Sequence, residues 1–434
     1  MITSLLQRLN IKELKPMQEA AIKAIRKGKQ VILLSPTGSG KTLAFLLPLV
    51  KMLNHDDLGV QALVLTPSRE LALQIEQVFK AMQTGFKVNT CYGGHPMATE
   101  LRNLSAPPAL LIGTPGRIAD HLHRQSIQTD SIQTLILDEF DKSLELGFKD
   151  EMEYIINSIN SINTRILTSA TTLNEIPAFV GMNDPVKVDF TTTENNTHLA
   201  VRSVRAEGSD KLELLFKLIC QLGDTSSLIF CNHREAVNRI SELLSGKGIS
   251  HGIFHGGMEQ EQREVSLIKF RNGTHHVLLT TDLASRGLDI PEIRNVIHYQ
   301  LPTTLTAWTH RNGRTARMDE QGTAWLLLAE TDYVPEFVID TVEEVTVAEE
   351  AVLPDPTPYE TIYISAGRKD KISKGDVAGF LMQKGQLVKD DIGKIEILDY
   401  ASFAAVNRSK VDRLILQIKG EQIKKKTVKI EIAY

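Results

Sequence analysis

The sequence predicts two tandem α/β domains, each built on a parallel sheet, followed by a smaller α+β module. Three observations carry this. From Val31 to about Asp189, short apolar runs alternate with helical stretches; the same alternation resumes after Thr197; and beyond Glu360 the order changes to βαββαβ over about 70 residues. Residues 1–195 are expected as the first domain, 203–345 as the second, 346–360 as a linker and 361–434 as the final module.

In the first domain the runs Val31-Ile32-Leu33-Leu34, Ala62–Leu65, Ala109–Ile112, Leu135–Leu137 and Ile166–Leu167 are continuously apolar, as strands covered on both faces are. The polar stretch from Thr191 to Thr197 reads as a connector. Ser227–Cys231, Val277–Thr281, Val296–Tyr299 and Ala324–Ala329 are the strands of the second domain. From Val342 to Glu360 the chain holds acids, three prolines and no basic residue, which reads as an extended tether. In the tail, Thr361–Ser365, Gly393–Leu398, Ser402–Val406 and Thr427–Ile432 read as strands, with helices near Lys374–Gln383 and Arg408–Lys419. That plan is shared by many RNA-binding modules.

The chain has 434 residues, 42% hydrophobic and 24% charged, ordinary proportions for a folded protein of two to three domains. Leu43 to Val50 is interrupted by Pro48 and followed by Lys51, far short of the roughly 18 apolar residues of a membrane span. The N-terminus carries its charges after its apolar residues and has no cleavage site, so no signal peptide is read and cytoplasmic residence is expected. No coiled-coil pattern is seen, and a monomer without a membrane partner is expected. Cys91, Cys220 and Cys231 are too scattered for a disulfide framework or zinc cluster and read as buried thiols. The net charge of −4 is unevenly spread: residues 361–434 carry 15 Lys+Arg against 9 Asp+Glu, and residues 1–360 carry 34 against 44. A basic tail on an acidic body suggests a polyanionic partner.

Ser35 to Thr42 reads SPTGSGKT between an apolar strand and a helix start. Thr37, Gly38, Ser39 and Gly40 can curl their N–H groups around an anion at a helix N-terminus, with Pro36 leading into this nucleotide-binding turn. Lys41 would then reach the terminal phosphates, and Thr42 would ligate Mg²⁺. Asp138-Glu139-Phe140-Asp141 follows a strand as an acidic metal and water site should, with Asp138 as the second Mg²⁺ residue and Glu139 as general base.

Together with these two segments, Gln18, Pro67-Ser68-Arg69-Glu70-Leu71, Gly93-Gly94, Thr114-Pro115-Gly116-Arg117, Ser169-Ala170-Thr171, Thr281-Asp282, Ser285 to Asp289 and His310 to Arg317 occur in the order of one family's motifs. From Met1 to about Glu344 the chain resembles the DEAD-box ATP-dependent RNA helicases. The resemblance implies two RecA-like domains, ATP with Mg²⁺ as cofactors, and RNA as partner. It implies that Gln18 reads the adenine edge, that Gly287 and Asp289 line the nucleotide, and that Arg314 and Arg317 are the arginine fingers. Asp141, Ser169, Thr171 and His310 are implied to couple the domains. Pro67, Arg69, Gly94, Thr114 and Arg117 in the first domain, with Gln260, Arg263 and Thr281 in the second, would form an RNA track that touches backbone and not bases. Two departures stand out. Met1 occupies the place of an aromatic residue that would stack on adenine, and Phe140 replaces a small residue, with its ring expected to pack against the sheet.

The segment from Thr361 to Ala433, with IYISAGRKDKI, KGDVAGFL and DIGKIEI, resembles the RRM-like RNA-binding domain of the DbpA group of these helicases. It implies large-subunit ribosomal RNA and pre-ribosomal particles as partners and a role in ribosome assembly. Tyr363, Lys369, Lys371, Arg408, Lys410, Lys424, Lys425, Lys426 and Lys429 are the candidate contacts. Two readings follow: a helicase that unwinds short RNA duplexes by ATP-driven domain closure, and an ATP-gated RNA clamp or chaperone with weak hydrolysis. DNA unwinding is disfavoured because the tetrad and the segment Ser285 to Asp289 follow the RNA branch.

Overall fold

A computed structural model describes residues 2–28, 30–36, 38–172, 175–191, 199–284, 293–316, 321–338 and 341–434. Most of the polar connector, residues 192–197, falls outside them, as do Met1, Thr37, Gly287, Asp289 and Arg317. The chain divides into two compact units, the first holding residues up to Thr197 and the second holding the later α/β domain together with the tail.

The first unit is a seven-stranded parallel sheet in the order Val88–Cys91, Leu110–Gly113, Ala62–Leu65, Thr134–Leu137, Thr164–Ser169, Gln30–Leu34, Val186–Asp189. The two edge strands were not legible as apolar runs. Successive strand residues face opposite ways, so each apolar run feeds two cores. Val31, Leu33, Val64 and Ile112 enter one, and Ile32, Leu34, Leu63 and Leu111 the other. The turn after Gln30–Leu34 and the acidic segment after Thr134–Leu137 both leave the carboxyl ends of the strands, where ligands bind in open α/β sheets. Strand Thr164–Ser169 runs between them and ends in Thr168 and Ser169.

The second α/β domain repeats the plan in the order His251–Phe254, Val277–Thr281, Ser227–Cys231, Asn295–His298, Gly322–Leu328, Leu199–Arg205, Val342–Glu344. The last strand corrects the expectation of a tether beginning at Val342. Val342–Glu344 pairs with Leu199–Arg205, Val345 and Val347 pack on the domain core, and the Ala348 amide donates to Gln221 Oε1 at 3.1 Å. The acidic stretch is laid along the domain because its alternate valines have an apolar surface to cover.

The tail is a four-stranded antiparallel sheet, Ile392–Ile397, Ser402–Asn407, Tyr359–Ile364, Ile430–Ile432, with helices Lys374–Gln383 and Val411–Gln417. Lys426–Thr427 is not part of this sheet; it closes a small hairpin with Gln422–Ile423. Ile362, Ile364, Ala404 and Val406 face the tail's helices and form its core. The opposite sheet face is not open. Phe403, Tyr363, Leu398, Ala401 and Ala433 pack against Val265 and Ile268 of helix Gln260–Arg271 in the second α/β domain. Polar groups ring this contact: Arg271 makes a bidentate pair with Glu396 (both 2.8 Å), Thr274 and Thr361 share a buried hydroxyl bond of 2.7 Å, and Lys269 Nζ donates to Ala433 O at 2.7 Å.

Candidate nucleotide and RNA sites

Gly38 and Gly40 take φ values of 82° and 94°, a backbone that places the turn's N–H groups around a common centre and that side-chain-bearing residues rarely adopt. A Cβ on Gly40 would also run into the Gln18 amide. Gln18 is buried, accepts from Lys15 N at 3.0 Å and donates to Gly40 O at 3.2 Å, so its carboxamide braces the turn as well as facing it. Helix Lys41–Met52 starts at Gly40, and the Lys41 ammonium lies over the turn, donating to Ser35 O at 2.6 Å and Pro36 O at 3.0 Å. A phosphate chain would offer that ammonium a charged acceptor in place of two neutral ones.

Asp138, Glu139 and Asp141 are all buried. Burial raises the Asp138 carboxyl above the usual carboxylate range, while the Thr168 hydroxyl that donates to it and the Lys41 charge pull it back. A buried carboxylate and the Thr42 hydroxyl are the hard oxygen donors that Mg²⁺ prefers. Glu139 is held at φ 46°, a strained conformation for a residue with a Cβ, with its N–H donating to Thr168 Oγ1 at 3.2 Å. Thr168 therefore holds the Asp138 carboxylate and the Glu139 backbone amide, and no motif pointed to it; the only signal was a polar residue ending an apolar strand. Phe140 lies in the core facing Phe179, with ring centroids 6.4 Å apart, so its ring is stowed away from the carboxylates.

Three of the four expected coupling residues meet in the first unit. Thr171 Oγ1 donates to Asp141 Oδ2 at 2.9 Å, and Ser169 Oγ donates to Thr171 O at 2.7 Å. His310 is buried in helix Leu305–Asn312 of the second unit, and Arg314 is buried just beyond that helix. Beside them Arg311, which motif reading did not single out, is fixed by Asp282 (2.6 and 3.0 Å), Asn232 Oδ1 (2.7 Å) and Gln300 O (2.8 Å), under the Phe230 ring. A buried guanidinium with this many acceptors anchors the segment that carries Arg314.

The first-unit track residues converge. Pro67 lies just before the Ser68 cap of helix Arg69–Ala81, and a Cβ on Gly94 (φ 87°) would strike the Arg69 guanidinium. Thr114 caps the helix carrying Arg117, whose Nε donates to Tyr92 O at 3.2 Å and Nη2 to His95 O at 2.7 Å, which sets Arg117 against the Gly93-Gly94 turn. In the second unit Gln260 and Arg263 sit in the first turn of helix Gln260–Arg271 and bond each other at 2.5 Å, and Thr281 ends a strand.

The tail candidates divide. Tyr363 stacks edge-on to Phe403 in the interdomain contact, and Arg408 is tied to Thr357, Tyr359 O and Glu360, so both are committed to protein packing. Lys410 pairs with Asp391 at 2.7 Å and Lys429 with Glu431 at 2.8 Å. Lys369, Lys371, Lys424, Lys425 and Lys426 share one rim: Lys424 donates to Lys371 O (2.9 Å) and pairs with Asp376, and Lys426 pairs with Asp370, each at 2.6 Å.

Comparison with known proteins agrees with this geometry part by part. Residues 15–178 match the DEAD/DEAH box helicase family, 210–319 the helicase conserved C-terminal domain and 361–432 the DbpA RNA binding domain. The chain is 31% identical to the ATP-dependent RNA helicase DbpA of Escherichia coli (strain K12), over 98% of this chain and 96% of that protein. It is also 31% identical to the DbpA helicase of Bacillus subtilis (strain 168), over 99% and 96%. Among solved structures, S. cerevisiae Dbp5 bound to RNA and ADP BeF3 is similar with a TM-score of 0.70 at 25% identity, over 80% of this chain and 93% of that one. With a phosphate-binding turn, buried acidic tetrad, arginine-bearing second domain and basic tail in place, the chain belongs to the DbpA group of DEAD-box ATP-dependent RNA helicases and is an RNA-dependent ATPase.

Proposed function

We propose that this ATPase separates short RNA duplexes locally, with its tail holding structured large-subunit ribosomal RNA during ribosome assembly. The observation that carries the reading is the pairing of a phosphate-binding turn and tetrad in the first unit with a basic rim on a tail fastened to the second. Lys41 would hold the terminal phosphates of ATP, Glu139 would take a proton from the attacking water, and Arg314 and Arg317 would offset charge on the transferred group. Thr42 and Asp138 would hold Mg²⁺, which supplies charge neutralisation on the phosphates. The track groups are backbone amides, hydroxyls and guanidinium groups suited to a sugar–phosphate chain of any sequence, so selectivity would fall to the tail. The exposed rim at Lys369, Lys371 and Lys424 to Lys426 is the contact surface we favour there.

The packing of the Phe140 ring in the core near Phe179 supports hydrolysis over the clamp reading, since the ring is committed to the core. Among the described residues no helix is long and apolar enough to cross a membrane. The test is ATP turnover of the full chain with and without ribosomal RNA fragments, alongside strand separation of a labelled short duplex. Turnover that is fast with RNA, slow without it and coupled to strand separation is expected. RNA-stimulated turnover without strand separation would favour the clamp.

A further inference from the structure

Glu100 and His121 are two of the most deeply buried polar side chains of the first unit, and neither belongs to a motif of the nucleotide or RNA site. Glu100 lies on helix Met97–Leu104 and His121 on helix Pro115–His123. Burying a carboxylate and an imidazole among apolar neighbours is unfavourable unless every polar atom is used, and an apolar pair of similar volume would pack as well. Here the contacts of Glu100 point toward the RNA track. Glu100 Oε1 accepts from the Tyr92 amide at 3.1 Å, the residue before Gly93-Gly94. Its Oε2 lies 2.8 Å from His121 Nε2 and 3.4 Å from Arg117 Nε. His121 Nδ1 is 2.7 Å from Ser126 Oγ, whose hydroxyl donates to His121 O at 2.9 Å, so the ring is clasped from its far side.

We infer that Glu100 is a positioning residue for RNA binding and that His121, braced by Ser126, orients its carboxylate. One carboxylate fixes the amide that enters the Gly93-Gly94 turn and the guanidinium whose Nη2 holds the far end of that turn through His95 O. The turn is thus pinned at both ends, and Arg117 is held in one rotamer before RNA arrives, so binding does not have to order either. The inference rests on the RNA track proposed above. A rival occupant of the same cluster is a metal ion, because a ligand atom of Cys91 lies within 4.8 Å of those of Glu100 and His121. Each of the two polar donors already has a protein partner, however, and Arg117 already supplies a cation to Glu100.

The test measures RNA-stimulated ATP turnover of the full chain against concentration of a single-stranded RNA, together with RNA affinity by fluorescence anisotropy in the presence of a non-hydrolysable ATP analogue. Glu100→Leu is expected to raise the KM for RNA about tenfold or more while kcat at saturating RNA changes less than about twofold, the size of one lost charged contact. Glu100→Gln keeps an acceptor for Tyr92 N and should recover part of that loss. His121→Leu should fall between them. Cys91→Ala should leave the KM for RNA unchanged. An unchanged KM in both Glu100 variants, with the wild-type chain still stimulated by RNA, would overturn the inference and leave the helicase reading intact. A Cys91→Ala variant that loses RNA affinity together with bound zinc, measured by elemental analysis, would overturn it in favour of the metal. Should Glu100→Leu fail to fold, the Gln variant and the anisotropy measurement carry the decision.

Discussion

In the first unit Arg117 is held by a buried carboxylate and two backbone carbonyls, whereas in the tail the exposed Lys424 and Lys426 are held by the half-buried acids Asp376 and Asp370. Both regions are candidate RNA surfaces, but one is built by geometry and the other by charge. A half-buried, multiply bonded guanidinium presents its remaining donors in one arrangement. A lysine ammonium on a surface ion pair exchanges partners readily, because such pairs contribute little in water and salt screens them. Geometry of the first kind suits a track that bends any strand it meets; the second kind suits an anchor.

The largest expected effect sharpens this contrast at the nucleotide. Glu139→Gln should lower RNA-stimulated ATP turnover by roughly 10²-fold or more, since it removes the carboxylate proposed as general base; steady-state phosphate release measures it, and a loss of under tenfold would move the base elsewhere. Next comes the interface that turns the tail's sheet face inward. Phe403 is 2% exposed, and Phe403→Ala should weaken the docking of tail on helix Gln260–Arg271 by about 3 kcal/mol. Faster proteolysis within residues 346–358, with the tail's own fold unchanged by circular dichroism of the released fragment, is the expected readout.

A third, smaller effect separates burial from surface charge through pH. His298 is fully buried between Phe230 and Trp308, and burial lowers its pKa to about 3. In the unfolded chain it titrates near 6.5, so below that pH the unfolded state binds a proton the folded state refuses. Stability of the second unit should therefore fall as pH drops from about 6.5 toward about 3, by up to about 1.4 kcal/mol per pH unit from this group. The two tryptophans of the chain, Trp308 and Trp325, both lie in that unit and report its unfolding alone. A urea titration at several pH values should show a shallower slope in His298→Leu. The smallest effect belongs to the rim: Lys425→Ala should weaken RNA binding less than about threefold, uniformly across sequences, and reduce the salt dependence of log affinity by about one unit of slope. A loss confined to one RNA sequence would mean that Lys425 reads a base.

What the sequence made legible follows the same division. The phosphate turn and the acidic segment could be named in advance because phosphates and strand ends demand particular residues at particular spacings, and Arg117 was named through the family resemblance of Thr114-Pro115-Gly116-Arg117. Thr168, Arg311 and Glu100 were not named, since each acts through a neighbour: Thr168 is one polar residue ending an apolar strand, and Arg311 and Glu100 stand among other polar residues from which nothing in the sequence separates them. The docking of the tail was hidden for another reason. Val265 and Ile268 look like ordinary core residues of an amphipathic helix, and Tyr363 like an aromatic platform for a base, until the two surfaces are seen to cover each other. The acidic stretch after Val342 was misread because prolines and acids suggest a free tether, while Val345 and Val347 at alternate positions bind it to the domain.

Helix Gln260–Arg271 carries Gln260 and Arg263 in its first turn and grips the tail through Lys269 and Arg271 in its last. Its 12 residues span about 18 Å. The tail is consequently not an interchangeable cartridge: transplanting it to another helicase would require carrying over the final turn of this rod as its socket. A graft that ignored the socket would keep its appetite for RNA but lose its aim.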